Sequence, residues 1–367
     1  MCGMCLPSDC SIGLLIFGCQ AFASFTELPH DRTFKDTVTD SRSAHALFDS
    51  ESLQYVPRSV VRTWGERDFL IALGIPSVDM NVRRRRRDLQ RSTLWTFPGV
   101  ATRANNFTGA MLVLYVLARH PSHNFTYSAA LLKEAAEWHD VIALPMNEGR
   151  PSTKKTIGGG GYWGMEAEIG LSRKVFLWFE LAVRLFPRAS YIAKGDDDSF
   201  IRVPQYLADL RTLPRTGVYW GYMHYRKLRK GNVTVKFYYA VGTCATLSRD
   251  VAESFVSYEP LQFMVSLPYA KEREADFVAL KMSHEDMMVG YILYEAQIPN
   301  YTLVRDSACR FHNLRHGWPF RPLTNLSVVV HDTTESEFVE VMERFKNDTS
   351  PAAKPFKKRR KYLVSTC

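Results

Sequence analysis

The sequence changes abruptly from apolar to acidic in one short stretch, Tyr191-Ile192-Ala193-Lys194-Gly195-Asp196-Asp197-Asp198-Ser199-Phe200-Ile201. Residues 191–193 predict a buried strand, and three adjacent carboxylates follow it almost at once. Because like charges repel, a fold keeps such a triplet beside a core strand when a cation neutralises it. Ligands in open α/β sheets also bind at the carboxyl ends of strands. The triplet therefore predicts a site for a hard divalent cation, Mn²⁺ or Mg²⁺, with a solvated acidic turn as the alternative.

Other apolar runs predict the scaffold around this triplet. Residues 111–117 and 141–144 are continuous apolar runs, typical of strands buried on both faces of a parallel sheet. Residues 127–138 between them have helical spacing. Strand, helix and strand in this order predict a right-handed crossover and a doubly wound α/β sheet. A further apolar stripe over residues 171–186 predicts a core helix.

A second acidic group lies far downstream, in His284-Glu285-Asp286-Met287. It places an acidic pair at the start of an apolar helical stretch. Carboxylates in a first turn interact favourably with the helix dipole, so ordinary capping is one explanation. A functional role together with the triplet is the other explanation.

The composition is that of a globular chain, with 46% hydrophobic and 23% charged residues among 367. The formal net charge of +9 includes two basic runs, Arg83–Arg87 and residues 354–361. Neither run belongs to a nucleic-acid-binding signature, so we expect no nucleic acid partner. We interpret the runs as a solvated loop and a solvated tail.

Asn-x-Ser/Thr sequons indicate passage through the secretory lumen. Six of the ten Asn residues lie in such sequons, whereas composition alone gives roughly one. The sequons begin at Asn106, Asn124, Asn232, Asn300, Asn325 and Asn347. In an oxidising lumen, Cys244 and Cys309 either form a disulfide or remain free buried thiols, and we expect no role for Cys367.

A glycine run, Gly158–Gly161, precedes Tyr162 and Trp163. No strand leads into these glycines and no Gly-Lys-Ser/Thr closes them, so they do not predict a phosphate-binding loop. We interpret them as a hinge. The two aromatic residues are a candidate sugar platform, or they pack beneath the loop.

Three motifs, in this order along the chain, resemble those of one family. They are Arg58-Ser59-Val60-Val61-Arg62-Thr63-Trp64, Lys194-Gly195-Asp196-Asp197-Asp198-Ser199-Phe200 and Glu285-Asp286-Met287-Met288-Val289-Gly290. The family is the inverting β-1,3-glycosyltransferases (glycosyltransferase family 31), which includes galactosyl- and N-acetylglucosaminyltransferases and Fringe. The details resemble its protozoan branch. Residues 243–246 depart from the Gly-rich strand end of the family, which puts acceptor contacts there in doubt.

The resemblance implies a fold and a reaction. The fold is α/β of GT-A type, with a Rossmann-like mixed sheet flanked by helices in a single catalytic domain. The reaction is a metal-dependent, inverting transfer of N-acetylglucosamine from UDP-N-acetylglucosamine in β linkage, by family default β-1,3. The implied acceptor is a glycan on a glycoprotein or glycolipid, such as an N-glycan or a glycolipid-anchor side chain. UDP-galactose is the alternative donor, and a non-catalytic lectin-like or chaperone protein of the same fold is the alternative of another class.

The resemblance also implies roles for the acidic residues. Asp286 matches the family's catalytic base, and Glu285 orients a neighbouring group or the acceptor. Asp198 matches the metal ligand. Asp196 contacts the nucleoside or sugar and shares the metal, and Asp197 takes either role or holds the loop.

The remaining implied roles fall on basic residues. A histidine after a late apolar strand completes the family's metal site, and His331 fits that description, with His312 as its competitor. Lys194 precedes the triplet as in many members and adds positive charge for the leaving diphosphate. Arg58 and Arg62 either contact the diphosphate or hold the first helix.

The N-terminal segment bears on localisation. Residues 12–25 carry no charge and fit a signal-type core better than a bilayer span of roughly twenty residues. Ala21-Phe22-Ala23 looks like a cleavage site, but no Lys or Arg precedes it. Family members are mostly type II Golgi membrane proteins, so the resemblance implies an uncleaved anchor and a luminal catalytic domain. A cleaved signal peptide is the alternative.

These observations predict a domain organisation for the chain. The predicted segments are a signal-anchor or signal peptide (1–26), a polar stem (27–54), a GT-A glycosyltransferase domain (55–346) and a basic tail (347–367). Within the domain, residues 66–108 have no clear element, and we interpret them as an insertion with a mobile or variable surface.

Overall fold

The computed structural model describes residues 45–155, 161–298, 301–359 and 362–367. The predicted signal-anchor and most of the predicted stem lie outside the described residues, as does most of the glycine run. Across the described ranges, no helix combines the length and hydropathy needed to cross a bilayer.

The described residues form fifteen strands and a set of helices. The strands are β1 (Ile71–Pro76), β2 (Val100–Ala101), β3 (Met111–Arg119), β4 (Val141–Asn147), β5 (Tyr191–Gly195), β6 (Phe200–Ile201), β7 (Val218–Gly221), β8 (Met223–Lys230), β9 (Val233–Ala240), β10 (Cys244–Ser248), β11 (Thr302–Arg305), β12 (Phe311–Asn313), β13 (Val329–His331), β14 (Lys357–Arg359) and β15 (Tyr362–Val364). The α-helices are α1 (45–52), α2 (Arg58–Glu66), α3 (Asn81–Ser92), α4 (Ala129–Trp138), α5 (Met165–Leu185), α6 (Val203–Leu210), α7 (Arg249–Val256), α8 (Glu259–Ser266), α9 (Glu274–Ala279), α10 (Glu285–Glu295) and α11 (Glu335–Phe345).

Ten strands form one mixed sheet in the order β14-β15-β11-β7-β10-β5-β1-β3-β2, with β4 also paired to β3. Strands β4, β3, β1 and β5 run parallel, and β10 lies antiparallel between β5 and β7. Helices cover this sheet, so the predicted α/β class with a mixed, helix-flanked sheet is confirmed. The register aligns Ile71 with both Met111 and Tyr191, which brings the carboxyl ends of β1 and β5 together.

Helix α5 covers one face of the sheet because its apolar stripe packs on the buried strands. Trp178 is fully buried there and donates its indole N–H to the Ala193 carbonyl at 2.9 Å. A Cβ at Gly74 would lie 2.2 Å from the Trp178 ring, so this close approach requires glycine in β1. The opposite face is covered by residues of α4, α6 and α11.

The interpretation of residues 66–108 as a structureless insertion is wrong. The segment contains β1, which lies between β3 and β5, and helix α3. Nor are the arginines of α3 a solvated loop. Arg87 binds both Glu134 carboxylate oxygens at 2.7 Å, and Arg91 binds both Asp140 oxygens at 2.8 and 2.7 Å. A helix that buries paired charges has no apolar stripe, so hydrophobic periodicity does not detect it.

Both ends of the described chain pack on the domain more closely than predicted. In the predicted stem, Asp49 of α1 accepts a hydrogen bond from Arg184 at 2.6 Å and Ser52 is fully buried. In the predicted tail, β14 and β15 extend the central sheet. Cys309 forms a disulfide with Cys367, so neither alternative holds for Cys309 and the expectation that Cys367 has no role is wrong. Cys244 is a free buried thiol, as one of the two alternatives had it.

Two smaller sheets flank the carboxyl edge of the central sheet. Strands β6, β12 and β13 form a three-stranded sheet, and β13 ends at His331. Strands β8 and β9 form an antiparallel hairpin that packs on α10. The three-stranded sheet positions His331, and the hairpin packs on the helix that begins with Glu285 and Asp286.

Candidate metal and acid–base site

The acidic residues lie at the point where the strand order reverses. Strand β1 lies between β3 and β5. The chain passes from β1 to β3 on one side, and the later strand β5 is added on the other side of β1. Such switch points leave a crevice at the carboxyl ends of the strands, where ligands bind in open α/β folds. Ser77 follows β1 directly, and Asp196 follows β5 directly. The two residues therefore lie at this crevice.

Asp196, Asp198 and His331 form a cluster in which one potential ligand atom from each lies within 4.8 Å of the others. His331 Nε2 lies 3.1 Å from Asp198 Oδ1 and 3.5 Å from Asp196 Oδ2. Each side chain is between 21% and 27% exposed, so the cluster remains open to a ligand. Two carboxylates and one imidazole form a ligand set for a divalent metal.

A second contact orients His331. Its Nδ1 lies 3.0 Å from Asn313 Oδ1. Because an amide oxygen only accepts, Nδ1 carries the proton in the neutral ring and the Nε2 lone pair points at the carboxylates. Asn313 is itself held, since its Nδ2 donates to the His316 carbonyl at 2.5 Å. Outer contacts of this kind fix metal-binding histidines.

His312, the competing histidine, lies elsewhere. It is buried, its Nε2 is 2.8 Å from Ser327 Oγ, and its Nδ1 is 3.3 Å from the Asn313 carbonyl. Neither nitrogen contacts the acidic triplet. The structure thus places His331, and not His312, beside Asp196 and Asp198.

The charges of the cluster are strongly coupled. Burial alone would raise the pKa of Asp198, but the neighbouring His331 outweighs it and holds that pKa well below its usual range. Burial opposes the charged imidazole of His331, yet Asp198 and Asp196 raise its pKa to about 9. Burial raises the pKa of Asp196, against the effect of Lys194. The cluster therefore favours positive charge at its centre, which is what a cation site requires.

Asp197 faces away from the cluster and is held by the protein. Its carboxylate accepts hydrogen bonds from Ser77 Oγ at 3.0 Å and from Arg83 of α3. Its carbonyl accepts from Gln90 Nε2 at 3.2 Å. With only 7% of Asp197 exposed, these contacts favour holding the loop over either ligand role considered for it.

Lys194 connects the triplet to the second acidic group. Its Nζ donates to Asp196 Oδ1 at 2.5 Å, to the Gly242 carbonyl at 2.6 Å and to Glu285 Oε1 at 2.9 Å. Burial opposes its charge, but Asp196 and Glu285 raise its pKa above the ordinary value. In return, Lys194 outweighs burial and lowers the pKa of Glu285. The two acidic groups, far apart in sequence, therefore belong to one site.

Asp286 lies beside this bridge in the first turn of α10. Its Oδ1 accepts a hydrogen bond from the Met287 N–H at 2.6 Å. Burial and the adjacent Glu285 carboxylate raise the pKa of Asp286 to about 7, although Lys194 opposes the shift. Unlike Glu285, Asp286 makes no ion pair among the described residues. It is the carboxylate of this site most suited to exchanging a proton near neutral pH.

Gly242 keeps this junction compact. A Cβ there would lie 2.7 Å from Glu285 Oε1, 3.4 Å from Lys194 Nζ and 3.7 Å from Asp196 Oδ2. Glu285 is held by Lys194 and cannot move away freely. A side chain at position 242 would therefore push on both acidic groups at once.

Arg58 and Arg62 are exposed on α2, and no hydrogen bond or ion pair of the described residues joins either one to the acidic cluster. Arg83 and Arg86 of α3 are the arginines at the cluster. Arg83 binds Asp197, and Arg86 donates to the Thr333 carbonyl at 3.0 Å while its charge lowers the pKa of Asp198. The structure thus places Arg83 and Arg86, rather than Arg58 and Arg62, beside the acidic triplet.

Sequence reasoning missed several supporting residues. Arg83 and Arg86 follow an apolar stretch, Phe69–Ile75, whose strand character was the available signal. Thr333 donates through its hydroxyl to the Asp198 carbonyl at 2.8 Å. Neither Thr333 nor Asn313 carries a signal in one sequence, because each acts through a contact formed only on folding.

Tyr162, a candidate either for a sugar platform or for packing beneath its loop, lies beside α10. Its ring stacks on His284 with centroids 6.4 Å apart, and it is 37% exposed. Trp163 donates its backbone N–H to Glu168 Oε1 at 3.0 Å. Tyr162 thus contacts His284, the residue that precedes α10, whereas the backbone of Trp163 supports the start of α5.

Comparison of the chain with protein-family models and with curated proteins finds no match.

Proposed function

We propose that this protein is a metal-dependent inverting glycosyltransferase of the GT-A type. It transfers N-acetylglucosamine from UDP-N-acetylglucosamine in β linkage, by the family default β-1,3, to a glycan acceptor. UDP-galactose is the alternative donor. The fold type is supported by a parallel half-sheet that ends at an antiparallel strand, with carboxylates at the carboxyl end of β5.

One observation supports the proposal most directly. The Asp196, Asp198 and His331 cluster and the Asp286 carboxylate belong to the same site, joined through Lys194 and Glu285. A transferase of this kind needs a place for a nucleoside diphosphate and a base for an acceptor hydroxyl on the other side of the sugar.

The residues present fit Mn²⁺ or Mg²⁺. Asp196, Asp198 and His331 would hold the ion, since carboxylate oxygens suit both metals and a neutral imidazole completes the set. When bound, the ion supplies positive charge that stabilises the departing diphosphate.

The protein groups divide the remaining work. Asp286 accepts the proton of the acceptor hydroxyl as that oxygen forms its bond to the anomeric carbon and the bond to the UDP oxygen breaks. A pKa of about 7 leaves much of Asp286 ionised at neutral pH and still basic enough to take this proton. Glu285 and Lys194 fix the start of α10, and thereby the position of Asp286, relative to Asp196.

The chain's own chemistry supports an oxidising, luminal compartment, and the family resemblance supplies the Golgi and the type II anchor. Disulfides persist in oxidising compartments, and the Cys309–Cys367 bridge agrees with the excess of sequons. We propose a luminal catalytic domain in the Golgi, attached as a type II membrane protein by the N-terminal segment. Its partners are then a UDP-sugar and the glycan of a glycoprotein or glycolipid.

A donor and acceptor screen tests the proposal. The purified chain is incubated with UDP-N-acetylglucosamine or UDP-galactose and a panel of β-galactosides and mannosides, with Mn²⁺ or with EDTA. We expect Mn²⁺-dependent release of UDP and a product whose linkage analysis shows a new β bond. UDP binding without turnover on any acceptor would favour the non-catalytic alternative, and an absence of metal-dependent UDP binding would refute the proposal.

A further inference from the structure

The Trp318 residue is 64% exposed, more than any other tryptophan among the described residues. Its ring has aromatic neighbours. Its ring centroid lies 5.3 Å from that of Tyr222 and 5.7 Å from that of His224. Tyr225, 40% exposed, stacks on His224 at 5.9 Å with an interplanar angle of 20°. We call these four residues the aromatic platform. Tyr222 is only 8% exposed and His224 is partly buried, so the platform presents mainly the rings of Trp318 and Tyr225 to solvent. Exposed aromatic rings that lie together are a feature of binding surfaces.

One side of the platform is tied to the candidate metal cluster. Trp318 lies in the loop that follows β12, and this loop closes on Asn313. The Asn313 N–H donates to the Pro319 carbonyl at 2.7 Å, and its carbonyl accepts from the Arg321 N–H at 3.1 Å. The Asn313 side chain binds His331. The position of Trp318 is thus fixed relative to the residue that faces Asp198.

The other side of the platform is tied to the candidate base. His224 Nδ1 lies 3.2 Å from the Tyr239 hydroxyl. Tyr239 packs against α10 so closely that a Cβ at Gly290 would lie 2.5 Å from its Cβ. Asp286 precedes Gly290 by one helical turn and shares its face of α10. The Asp286 face of α10 is therefore turned towards the strand whose Tyr239 supports the platform.

We propose that the aromatic platform binds a pyranose ring of the acceptor glycan by stacking on Trp318. This inference rests on the proposed function and assigns the acceptor side of the same site. A pyranose presents C–H groups on one face and hydroxyls at its rim, and an aromatic face binds such C–H groups. The platform has connections to both the metal cluster and Asp286, where an acceptor hydroxyl must arrive.

The uracil ring of the donor is the other planar group that Trp318 could stack on. The observations favour the acceptor, because Trp318 is connected through His224 and Tyr239 to the base side of the site. The diphosphate is expected at Asp196 and Asp198, beside the crevice between β1 and β5. Measuring UDP affinity separately from acceptor kinetics distinguishes the two ligands.

The test compares Trp318→Ala and Trp318→Tyr with Phe263→Ala. Phe263 lies on α8, a helix packed on α5 and α7, and is 66% exposed. Phe263→Ala is therefore a control that removes a similarly exposed aromatic ring outside the platform. At saturating donor and Mn²⁺, we expect Trp318→Ala to raise the acceptor KM by about tenfold, a size typical of one lost aromatic contact. Trp318→Tyr should recover most of this, and UDP affinity by calorimetry should stay unchanged in all three variants.

An unchanged acceptor KM in Trp318→Ala, or a loss of UDP affinity in its place, would overturn the inference. Saturation-transfer NMR without donor provides a readout independent of turnover. Methyl β-D-galactopyranoside and methyl α-D-mannopyranoside are the probes, and ring-proton saturation in the wild type should disappear in Trp318→Ala. If wild type neither binds UDP nor turns over, the proposed function fails. In that case the platform is supported if the glycoside ring protons are saturated by the wild type and not by Trp318→Ala. It is rejected if the wild type gives no saturation, or if Trp318→Ala gives as much.

Discussion

Asn313 Oδ1 lies 3.0 Å from His331 Nδ1, and this hydrogen bond decides which ring nitrogen faces Asp198. In Asn313→Ala the ring loses its orientation, so Mn²⁺ affinity should fall by about 10–100-fold. Asn313→Asp retains the oxygen acceptor for His331 but loses the donor to the His316 carbonyl, so its Mn²⁺ affinity should fall less than that of Asn313→Ala. Mn²⁺ titrations of UDP binding measure both variants. Equal affinity in Asn313→Ala and the wild type would show that the contact has no role in metal binding.

Adjacent carboxylates of the triplet should respond differently to the same substitution. Asp198→Asn removes a candidate metal ligand, so Mn²⁺-dependent UDP binding should be lost. Because His331 lowers the pKa of Asp198, the variant should also lose the stability that this ion pair contributes. Asp197→Asn weakens the buried contacts with Ser77 and Arg83. It should lower the free energy of unfolding by about 1–3 kcal/mol.

Calorimetric UDP titrations and denaturant unfolding distinguish these two effects. Full activity in Asp198→Asn would remove the metal assignment, and so would full activity in Asp198→Ala. Loss of UDP binding in a stably folded Asp197→Asn would contradict its role as a loop-holding residue.

The pH dependence of transfer should report on Asp286. Its pKa is raised to about 7 and it must be ionised to accept a proton, so kcat/KM should rise with pH through about 7 and then level off. Asp286→Asn should bind UDP in a Mn²⁺-dependent way and show no transfer at any pH. Retained turnover in this variant would remove Asp286 as the base.

The same group makes a prediction for stability. Its folded-state pKa exceeds the ordinary value of 3.8, so the protonated form favours folding, and this contribution is lost as pH rises from about 4 to above 7. Asp286→Asn has no such titration. The melting temperature of Asp286→Asn minus that of the wild type should therefore increase as pH rises from about 4 to above 7. Thermal scans at several pH values measure this difference.

Gly242 allows a test of the junction between the acidic groups. In Gly242→Ala the new methyl group would meet Glu285 Oε1 at 2.7 Å, so turnover should fall at least tenfold as the carboxylates are displaced. Gly65→Ala is the matched control, because a Cβ there meets nothing within 4 Å. Initial rates and melting temperatures of both variants provide the comparison. Equal turnover in Gly242→Ala and Gly65→Ala would show that the junction tolerates movement.

The disulfide should stabilise the domain by lowering the conformational entropy of the unfolded chain. Cys309 and Cys367 are separated by 58 residues, a loop for which chain-entropy arguments give about 4 kcal/mol. Cys367→Ser should lower the free energy of unfolding by up to that amount. Added reductant should destabilise the wild type and leave the variant unchanged. A wild type insensitive to reductant would indicate that the bridge contributes little.

The sequence predicted those parts of the fold that have an apolar signature. Strands β3, β4 and β5 and helix α5 are apolar along a face or throughout, and each was found near its predicted position. Helix α3 was missed because its buried residues are arginines paired with Glu134 and Asp140, and pairing is invisible in one sequence. Strand β1 was missed together with α3, since the arginine run dominated the interpretation of that segment.

The candidate site shows the same division. Asp196, Asp198, Asp286 and His331 belong to local patterns of acid or histidine beside an apolar run, and the fold brings them together. Asn313 and Thr333 act through contacts between elements that are distant in sequence. Their roles required knowledge of which strand ends lie side by side, which depends on tertiary packing.

The position of β1 limits how far the chain can be shortened. A fragment beginning at Trp163 would retain both candidate ligand carboxylates, His331 and the base. It would lack β1, so β5 would become an open strand edge prone to self-association. Asp197 would also lose Arg83, a partner 114 residues away. The acidic loop can therefore be completed only after the early and late parts of the polypeptide have met, and the candidate site cannot be rebuilt from the C-terminal portion alone.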